Sequence, residues 1–485
     1  MKKLSILLLF ALQAHAADHV VLVVWDGMRP DFVNETNTPT LAKLARDGVV
    51  FANHHSVYIC STEVNGAALA TGAFPNRNGV VANREYRPAL DPLKRIEIES
   101  LDTIAKGDKV TGGHYLQMPT VPEILRGAGR KVAVAGTKSV ALLFDRTGPV
   151  KLPALPKFDA PNTATDAGTT HALVGPLWDG GVPAFSLLWL SDPDLTQHAS
   201  WPGSDKALAA MKSVDADLAL VLDELEARGE RQRTDVFVVS DHGFSTVMRT
   251  VDVADALRQA GFPAAREYQQ PPKPGDVVVV GNGGSVLLYV TGHDKTVARR
   301  LVEFLQQQDF VGCILTREPM PGTFTLEQLR LNSKDAPDIL FSMRWTDEKN
   351  QAGVAGIITS DGAAYGKIAV GLGRGGHSSL SPYDLHNTLI AAGPDFRGGM
   401  TNTLPTGNAD LAPTILSVLG ISPRQPMDGR ILTANPAKPR QRTLAATNGA
   451  WRQSVKITEL AGTMYIDEGE SSSQVVHSEE KRVSP

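Results

Sequence analysis

The chain has little cysteine, no excess of positive charge and only one long apolar run. Its two cysteines, Cys60 and Cys313, occur among 485 residues, which excludes a disulfide framework, and we expect them not to pair because they lie far apart in sequence. The formal net charge of −4 gives no support to a nucleic-acid polymer as partner. Apolar residues make up 42% and charged residues 21%, which excludes a disordered or fibrous chain.

The long apolar run lies at the N-terminus and has the features of an export signal. Lys2 and Lys3 precede an apolar stretch over residues 4–12, and Ala-His-Ala at 14–16 fits cleavage after small residues. The stretch is too short to span a bilayer, and no other segment resembles a membrane span. We therefore expect a signal peptide over residues 1–16 and an exported chain, either periplasmic or secreted.

Buried strands and helical patterns alternate along the first half of the chain. Four continuous apolar runs are typical of strands buried in a parallel sheet, at 19–25, 131–135, 184–190 and 235–240. Helical patterns lie between them, at 39–47, 121–128 and 208–225. Thr38 is the expected N-cap of the first of these helices. The alternation predicts an α/β fold with a mainly parallel central sheet, which holds ligands at the carboxyl ends of its strands.

Residues 250–370 differ from the rest of the chain and predict an inserted α+β cap-like subdomain. Prolines and glycines interrupt this region, and it contains two predicted strands and one helix, at 286–290, 313–316 and 296–307. The core would then consist of residues 17–249 and 371–440, with a helix at 410–419. Residues 441–468 predict short strands, and the Ser- and charge-rich sequence from Gly469 to residue 485 predicts a flexible tail.

Six residues with metal-ligand chemistry lie mostly where predicted strands end. They are Asp26, Asp194, His198, Asp241, His242 and His377. Any one of them alone is ordinarily a turn, cap or core residue, but together they predict a metal site. Mixed nitrogen and oxygen ligands favour zinc, and less well manganese. Two ions of this kind can clamp the attacking and leaving oxygens of an in-line displacement.

Local geometry brings these ligands together only under specific conditions. A helical turn over residues 194–198 would put Asp194 and His198 on one face. The adjacent Asp241 and His242 converge only if the chain turns at Gly243, and the glycines before residue 377 permit close backbone approach.

Thr62 follows a strand-like run and begins a short helix rich in small residues. The ordinary role of such a residue is that of a helix N-cap. A hydroxyl at the positive end of the helix dipole can also act as a nucleophile, although the dipole alone is too weak to ionise it without a metal. The neighbouring metal-ligand pattern favours Thr62 as the nucleophile.

The order of these motifs resembles the alkaline phosphatase superfamily, and most closely its type I phosphodiesterase/nucleotide pyrophosphatase branch. The matching motifs are Asp26-Gly27, Thr62 with Asn65, Asp194 to His198, Asp241-His242-Gly243, Gly376-His377 and the segment from Asp410 to Gly429. The resemblance spans about residues 20–435 and implies an alkaline-phosphatase-like sandwich that binds two zinc ions. It assigns one ion to Asp26, Thr62, Asp241 and His242, and the other to Asp194, His198 and His377. It also implies that Asn65 hydrogen-bonds a phosphoryl oxygen.

The chain departs from this branch beside the nucleophile. Thr62 is followed by Glu63, Val64 and Asn65, whereas nucleotide pyrophosphatases usually have Thr-Phe-Pro-Asn, and the missing aromatic ring argues against stacking on a nucleobase. The sulfatase signature is absent around Cys60, which excludes a formylglycine sulfatase. Lys138 is either a solvated loop lysine or a positive charge for a substrate phosphate or carboxylate, as in some phosphomonoesterases and phosphonate hydrolases of the superfamily.

We therefore expect an exported hydrolase of small-molecule phosphate esters, with two zinc ions per chain and a phospho-threonine intermediate at Thr62. Diester or pyrophosphate bonds are the favoured substrates, because Asn65 is neutral and no arginine follows Thr62 to stabilise a monoester dianion. The alternative is a phosphomonoester or phosphonate, which a contact with Lys138 would favour. The alternative from another class is a catalytically dead metal-binding scaffold. The sequence does not indicate the oligomeric state.

Overall fold

The computed structural model describes residues 17–146, 150–151, 163–362, 371–396, 398–434 and 438–472. The predicted signal peptide and the last part of the predicted tail, 473–485, lie outside the described residues. Within the described ranges, no helix combines the length and apolar character needed to cross a membrane. Both cysteines are buried and free, so the prediction that they do not pair is confirmed.

A mixed eight-stranded sheet forms the centre of the molecule and confirms the predicted α/β fold class. Its strands lie in the order Met400–Asn402, Val49–Phe51, Leu389–Ala392, Thr234–Val239, His19–Trp25, Phe185–Leu190, Val132–Gly136 and Val150–Lys151. Leu389–Ala392 pairs antiparallel with both of its neighbours, and the other adjacent strands pair in parallel. The sheet is therefore mainly parallel, as the sequence predicts.

Helices cover both faces of the central sheet, which explains why its strands are apolar throughout rather than alternating. Val20, Leu22 and Val24 face one apolar core, while the intervening residues face the other. The helices of the first core are Thr62–Thr71, Val121–Gly127, Ala141–Phe144 and Leu411–Val418. Those of the second are Pro39–Asp47, Thr163–Val174 and Asp205–Ala227.

The cap of the helix Pro39–Asp47 comes from a distant part of the chain. Thr38 precedes the helix, but its side chain makes no capping bond and instead donates to the Asn34 carbonyl at 3.2 Å. Asp215, on the long helix Asp205–Ala227, accepts the backbone N–H groups of Thr40 at 2.8 Å and Leu41 at 2.9 Å. Thr38 thus occupies the predicted N-cap position, but its side chain does not cap the helix, because a tertiary carboxylate satisfies these otherwise unpaired donors.

A second sheet of six strands has its own apolar core and is referred to below as the cap. Its strands lie in the order Ala264–Ala265, Val277–Gly281, Ser285–Val290, Ile339–Met343, Val311–Thr316 and Phe324–Thr325. The helices Val253–Gln259 and Lys295–Leu305 pack against it. These elements all lie between residues 250 and 370, where the sequence indicates an insertion.

A four-stranded sheet joins the cap to the core, and we call it the linking sheet. Its order is Trp345–Lys349, Ala355–Asp361, Ser245–Val251 and Arg374–Gly376. The last two strands pair antiparallel, with Ser245 opposite Gly376. One of them begins shortly after His242 and the other ends immediately before His377.

The C-terminal region forms an antiparallel three-stranded sheet that contacts both cap and core. Its strands are Arg440–Asn448, Trp451–Leu460 and Thr463–Ser472, which are longer than predicted. Gln453 exchanges two hydrogen bonds with Ile314 of the cap, at 2.7 and 3.0 Å, and the Tyr465 hydroxyl donates to Asp410 of the core at 2.8 Å. The last strand continues beyond Gly469, where fraying was predicted, because the Gly469 N–H donates to the Leu380 carbonyl at 2.9 Å.

Short elements complete the described chain. The strands His54–His55 and Thr406–Gly407 pair with each other, as do Arg84–Glu85 and Ile96–Glu97. The remaining α-helices of the described chain are Pro75–Asn78, Leu101–Thr111, Asp194–Ala199 and Pro382–Leu385.

Candidate metal centre

The candidate site lies at the carboxyl ends of three adjacent strands of the central sheet. Asp26 directly follows the strand His19–Trp25, and Asp241 and His242 follow Thr234–Val239. The strand Phe185–Leu190 leads into the short helix Asp194–Ala199, which has Asp194 and His198 one turn apart. The helical turn expected over residues 194–198 is therefore present.

Two glycines allow the backbone to approach closely enough to complete the site. A Cβ atom on Gly243 would lie 2.0 Å from the Tyr383 carbonyl oxygen, and one on Gly375 would lie 2.5 Å from that of Gln197. Neither position has room for a side chain. The chain can thus turn directly after His242 and return beside the helix that carries His198.

The three histidines are oriented by backbone carbonyl groups. Nδ1 of His198 lies 3.0 Å from the Gly375 oxygen, Nδ1 of His242 lies 2.9 Å from the Gly243 oxygen, and Nδ1 of His377 lies 2.7 Å from the Cys60 oxygen. A carbonyl oxygen only accepts hydrogen bonds, so each Nδ1 carries the hydrogen. With Nδ1 used in this way, Nε2 is the ring atom directed at the cluster, the arrangement typical of metal-binding histidines.

The Nε2 atoms converge on three buried carboxylates. Asp194 Oδ1 lies 3.3 Å from Nε2 of His198, 3.7 Å from that of His377 and 3.9 Å from that of His242. Nε2 of His242 also lies 3.3 Å from Asp241 Oδ2 and 3.6 Å from Asp26 Oδ1. The ligand atoms fall into two groups compatible with metal binding, which are Asp194, His242, His377 and Asp26, Asp241, His242.

One oxygen of each carboxylate is buried without a hydrogen-bond partner among the described residues. These oxygens are Oδ1 of Asp26, Oδ1 of Asp194 and Oδ2 of Asp241. The opposite oxygens are satisfied, since Asp26 Oδ2 accepts from Trp189 Nε1 at 2.9 Å and Asp241 Oδ1 from the Gly27 N–H at 3.0 Å. Orphaned buried carboxylate oxygens are costly unless a cation neutralises them, so the donor set fits divalent metal ions.

Burial and the charges of neighbouring side chains together set the pKa values inside the cluster. Burial and the carboxylate of Asp241 raise the pKa of Asp26 well above its usual range, although Lys138 opposes the shift. Burial, together with the rings of His242 and His198, lowers the pKa of His377 well below its usual range. His377 is therefore neutral at physiological pH and offers a nitrogen lone pair to a cation.

Lys138 lies within the cluster rather than in solvent. Its Nζ atom is 2.6 Å from Asp194 Oδ2 and 2.9 Å from Asp26 Oδ2. Burial disfavours its charge, but the carboxylates of Asp194, Asp26 and Asp241 outweigh burial and raise the pKa of Lys138 well above its usual range. Its ammonium group thus contacts one carboxylate from each of the two ligand sets that the family resemblance implies.

Thr62 is the first residue of the helix Thr62–Thr71 and its hydroxyl faces the cluster. The Oγ1 atom lies 3.4 Å from Nε2 of His242. Ser61 is the N-cap residue, but its side chain makes no capping bond. The Thr62 hydroxyl is thus directed towards the ligands rather than used in a helix cap.

The amide of Asn65 is occupied by hydrogen bonds to neighbouring segments of the core. Its Oδ1 accepts from the Val57 N–H at 2.7 Å and from Asn408 Nδ2 at 2.9 Å. Its Nδ2 donates to the carbonyls of Val57 at 3.0 Å and Ser61 at 3.2 Å. The expected contact between Asn65 and a phosphoryl oxygen stays a prediction, and the hydrogen bonds of the buried amide hold the segment before the helix.

Asn83 lies beside Thr62, and the sequence analysis missed it. Its Oδ1 accepts from the Glu63 N–H at 2.9 Å, and its Nδ2 donates to Glu99 at 3.0 Å. Asn83 lines the same cavity as Thr62 and His377. No spacing signal marked it, because it reaches the site through a turn that follows the helix Pro75–Asn78.

Glu63 lines the cavity at the position where the resemblance leads one to expect an aromatic residue. Both of its carboxyl oxygens are buried without a partner among the described residues. Burial, with a smaller contribution from the nearby Glu99, raises the pKa of Glu63 well above its usual range. This wall therefore offers no ring on which a nucleobase can stack.

The cavity in front of the ligands has a volume of about 560 Å³, and both core and cap line it. Thr62, Lys138 and His377 come from the core, Asn282 follows a strand of the cap, and Ser360 lies on a strand of the linking sheet. A volume of this size suits a small organic ligand.

These features define an α/β protein with a candidate metal centre and a nucleophilic hydroxyl at the carboxyl edge of its sheet. The sequence model of the type I phosphodiesterase / nucleotide pyrophosphatase family matches residues 20–346, more than half of the chain. The chain therefore belongs to that family, as the resemblance predicted.

Several characterised relatives are similar at low identity. The chain is 22% identical over 239 residues to the venom phosphodiesterase CdcPDE of Crotalus durissus collilineatus, covering 47% of this chain and 26% of that protein. It is 23% identical over 241 residues to ectonucleotide pyrophosphatase/phosphodiesterase family member 3 of Mus musculus, covering 46% and 24%. The matches thus span only about a quarter of these relatives. Bis(5'-adenosyl)-triphosphatase enpp4 of Mus musculus is 20% identical over 420 residues, covering 84% and 79%.

Among solved structures, that of murine ectonucleotide pyrophosphatase/phosphodiesterase 5 is similar with a TM-score of 0.62. The sequence identity is 18%, and the match covers 85% of this chain and 97% of that chain. This likeness confirms the alkaline-phosphatase-like fold.

Proposed function

We propose that the chain hydrolyses phosphoric esters at a two-metal centre, with Thr62 as nucleophile and with diester or pyrophosphate bonds as the favoured substrates. The observation that carries the proposal is the convergence of three orphaned carboxylate oxygens and three imidazole Nε2 atoms beside the Thr62 hydroxyl. Membership of the phosphodiesterase family supports the same chemistry.

The donor set favours zinc, with manganese as the second choice. Imidazole nitrogens suit zinc, and carboxylate oxygens suit both ions. Following the family resemblance, we assign Asp26, Thr62, Asp241 and His242 to one ion, and Asp194, His198 and His377 to the other. When bound, such ions supply Lewis acidity to the hydroxyl, to the phosphoryl oxygens and to the leaving oxygen.

Thr62 is positioned for a covalent mechanism in two displacements. In the first, Thr62 Oγ1 forms a bond to phosphorus as the bond from phosphorus to the leaving alkoxide breaks, and the hydroxyl proton passes through solvent to the alkoxide. In the second, the oxygen of a water molecule bonds to phosphorus as the bond from phosphorus to Oγ1 breaks, one proton of that water returns to Oγ1, and the phosphate product leaves. We assign to Asn83 the hydrogen bond to a non-bridging phosphoryl oxygen that the sequence analysis gave to Asn65, since Asn83 lines the cavity and Asn65 does not.

Lys138 supports a second candidate, a phosphomonoesterase or phosphonate hydrolase. Its ammonium group lies within 2.9 Å of Asp26 and 2.6 Å of Asp194, close to where a transferred phosphoryl group would bind. A monoester dianion carries one more negative charge than a diester and gains more from such a cation.

A substrate panel on one zinc-loaded preparation tests both candidates. It comprises bis(p-nitrophenyl) phosphate, the p-nitrophenyl ester of thymidine 5'-monophosphate, p-nitrophenyl phosphate and a phosphonate. We expect the simple diester to give the highest kcat/KM and Lys138→Ala to leave that activity within about threefold. A higher kcat/KM on the monoester or the phosphonate, lost selectively in Lys138→Ala, would establish the second candidate.

The panel also tests the alternative of a dead scaffold. If a preparation that holds at least two zinc ions per chain hydrolyses none of the esters, the protein is a metal-binding scaffold without catalysis. The matched control for Lys138→Ala is Lys131→Ala. It replaces a lysine whose Nζ donates only to the Gly180 carbonyl among the hydrogen bonds described.

We further propose that the enzyme acts outside the cytoplasm. The N-terminal sequence supports this, and similar proteins are named ectonucleotide pyrophosphatases. Expression in a Gram-negative host followed by cell fractionation tests it. The proposal fails if the full-length protein remains in the cytoplasmic fraction with residues 1–16 intact.

A further inference from the structure

A second cluster of metal-ligating side chains lies away from the candidate centre, where the last strand meets the core. It comprises His55 of the short strand His54–His55, His386 just after the helix Pro382–Leu385, and Asp467 of the strand Thr463–Ser472. Their ligand atoms lie within 4.8 Å of one another. None of the three lines the substrate cavity.

The hydrogen bond made by Nδ1 of His55 leaves the lone pair of Nε2 facing a carboxylate oxygen of Asp467, which can also only accept. Its Nδ1 atom lies 2.9 Å from the Thr406 carbonyl oxygen, which can only accept, so Nδ1 carries the hydrogen. Nε2 of the neutral ring then has a lone pair, yet it lies 3.1 Å from Asp467 Oδ1. Only a positive charge between or on these atoms makes the contact favourable, either a second proton on the ring or a metal ion.

The same arrangement recurs at the candidate metal centre. His198 and His242 also direct Nδ1 to a backbone carbonyl, and each has Nε2 at 3.3 Å from a carboxylate oxygen. Two ligands bonded to one tetrahedral zinc ion at about 2.0–2.1 Å lie roughly 3.3 Å apart. The 3.1 Å separation at His55 is close to this distance.

His386 supplies the third ligand and favours a metal over a proton. The rings of His55 and His386 have centroids 4.4 Å apart, and an isolated antiparallel bridge pairs the two backbones. An ion pair between His55 and Asp467 uses only one of the two rings. The His386 ring makes a hydrogen bond to the backbone of Asp467, which leaves its other nitrogen for a ligand. Asp467 is anchored independently, since its Oδ2 accepts from Thr458 Oγ1 at 2.8 Å and leaves Oδ1 for the cluster.

We propose that His55, His386 and Asp467 form a third divalent-metal site, which fastens the C-terminal sheet to the core. Two imidazole nitrogens and one carboxylate oxygen suit zinc, with water as the fourth ligand. His386 and Asp467 are only partly buried, so the ion and its water have access. The site stabilises the fold because a bound metal favours the folded state over the unfolded chain.

Metal counting on paired variants tests this site independently of the proposed catalysis. We expect zinc-equilibrated His386→Gln and Asp467→Asn each to contain one zinc ion per chain fewer than the wild type, with activity on the preferred ester retained. The matched control is His293→Gln, because His293 also pairs with a carboxylate, Asp338 at 2.7 Å, but is exposed and belongs to no group of three ligands among the described residues.

Equal zinc content in the wild type and in both variants, with each of them folded by circular dichroism, would reduce the cluster to an ordinary ion pair. If the variants do not fold, wild-type crystals decide the matter through anomalous scattering on either side of the zinc absorption edge. A zinc peak between the three side chains supports the site, and its absence there overturns it. The difference in zinc content between the wild type and these variants does not depend on the ions of the candidate centre. Failure of the proposed function would therefore be recognised separately from failure of this proposal.

Discussion

Thr62 is the residue on which the proposed reaction depends most directly. We expect Thr62→Ala to lower kcat by at least roughly 10³-fold, as removal of a covalent nucleophile usually does, while Thr62→Ser retains part of the activity. The control is Ser61→Ala, which removes a neighbouring buried hydroxyl that makes no capping bond. Rapid-quench kinetics on a chromogenic ester measures both. A large loss in Ser61→Ala with little effect of Thr62→Ala would assign the nucleophile to Ser61.

Asn83 and Asn65 form a contrasting pair at the same scale. Asn83→Ala removes a cavity-lining amide, and we expect kcat to fall about 10²-fold, the usual effect of losing one donor to a developing charge, with little change in Tm. Asn65→Ala leaves the buried N–H and carbonyl groups of Val57 unpaired, so it should lower Tm by several degrees. Steady-state kinetics and calorimetry on both variants separate the roles, and a reversal of the two effects would restore Asn65 to the site.

The convergence of the candidate ligand residues could be predicted from sequence because each of them has a local signal. Asp26 and Asp241 directly follow apolar runs, and Asp194 and His198 have helical spacing. Asn83 could not be predicted in this way, because its position depends on a hydrogen bond to the Glu63 backbone across the loop. The sequence likewise could not show that Lys138 lies between two carboxylates, since that depends on how adjacent strands of the sheet align.

At the scale of elements, the helices Thr163–Val174 and Asp205–Ala227 pack with a buried carboxyl group between them. Burial raises the pKa of Asp217 to about 7, although a hydrogen bond with Thr170 opposes the shift. The folded state therefore holds a proton that the unfolded chain releases near pH 4. Because the folded state binds more protons between about pH 4 and pH 7, this group lowers the stability as the pH rises through that window.

We expect Asp217→Asn to remove this penalty. The free energy of unfolding at pH 8 should increase by on the order of 1–2 kcal/mol relative to the wild type, and the advantage should shrink as the pH falls towards 4. Urea unfolding at several pH values measures it. Asp223→Asn changes an exposed aspartate of the same helix and should have no such effect; a pH-independent gain in Asp217→Asn would contradict the explanation.

Element positions were predictable where the apolar period was strong and unpredictable where distant parts of the chain meet. The strand His19–Trp25 matches the predicted run because both faces of that strand are buried. The cap of Pro39–Asp47 was missed because Asp215, far along the chain, accepts its N–H groups. The strand Thr463–Ser472 was predicted to end at residue 468 for the same reason. Its polar last residues form a strand because Gly469 is hydrogen-bonded to Leu380 and Trp345, which are distant in sequence.

For the whole molecule, bound metal should contribute to folding stability as well as to activity. Three buried aspartates converge at the candidate centre, and their repulsion destabilises the fold without cations. An ion present at 1,000 times its dissociation constant stabilises the folded state by about 4 kcal/mol. We therefore expect chelation to abolish ester hydrolysis and to lower Tm by several degrees, and zinc to restore both.

The Asp467→Asn background separates this effect from that of the proposed third site. Chelation of that variant should still remove the activity and still lower Tm, and magnesium should restore neither because it disfavours imidazole ligands. Full activity in protein that retains no metal by elemental analysis would disprove the metal-dependent mechanism.

The linking sheet attaches the cap to the core directly beside two of the candidate ligand residues. Both chain crossings between core and cap lie beside ligand residues, one just after His242 and the other just before His377, and the two crossings are hydrogen-bonded to each other. Because His242 and His377 lie next to these paired strands, we expect a movement of the cap about the crossings to disturb both imidazoles. Sequence changes between the two crossings can alter Asn282, Ser360 and the residues around them without altering the candidate ligand residues. We therefore expect related proteins to differ in substrate range through this segment while they keep the same candidate metal centre.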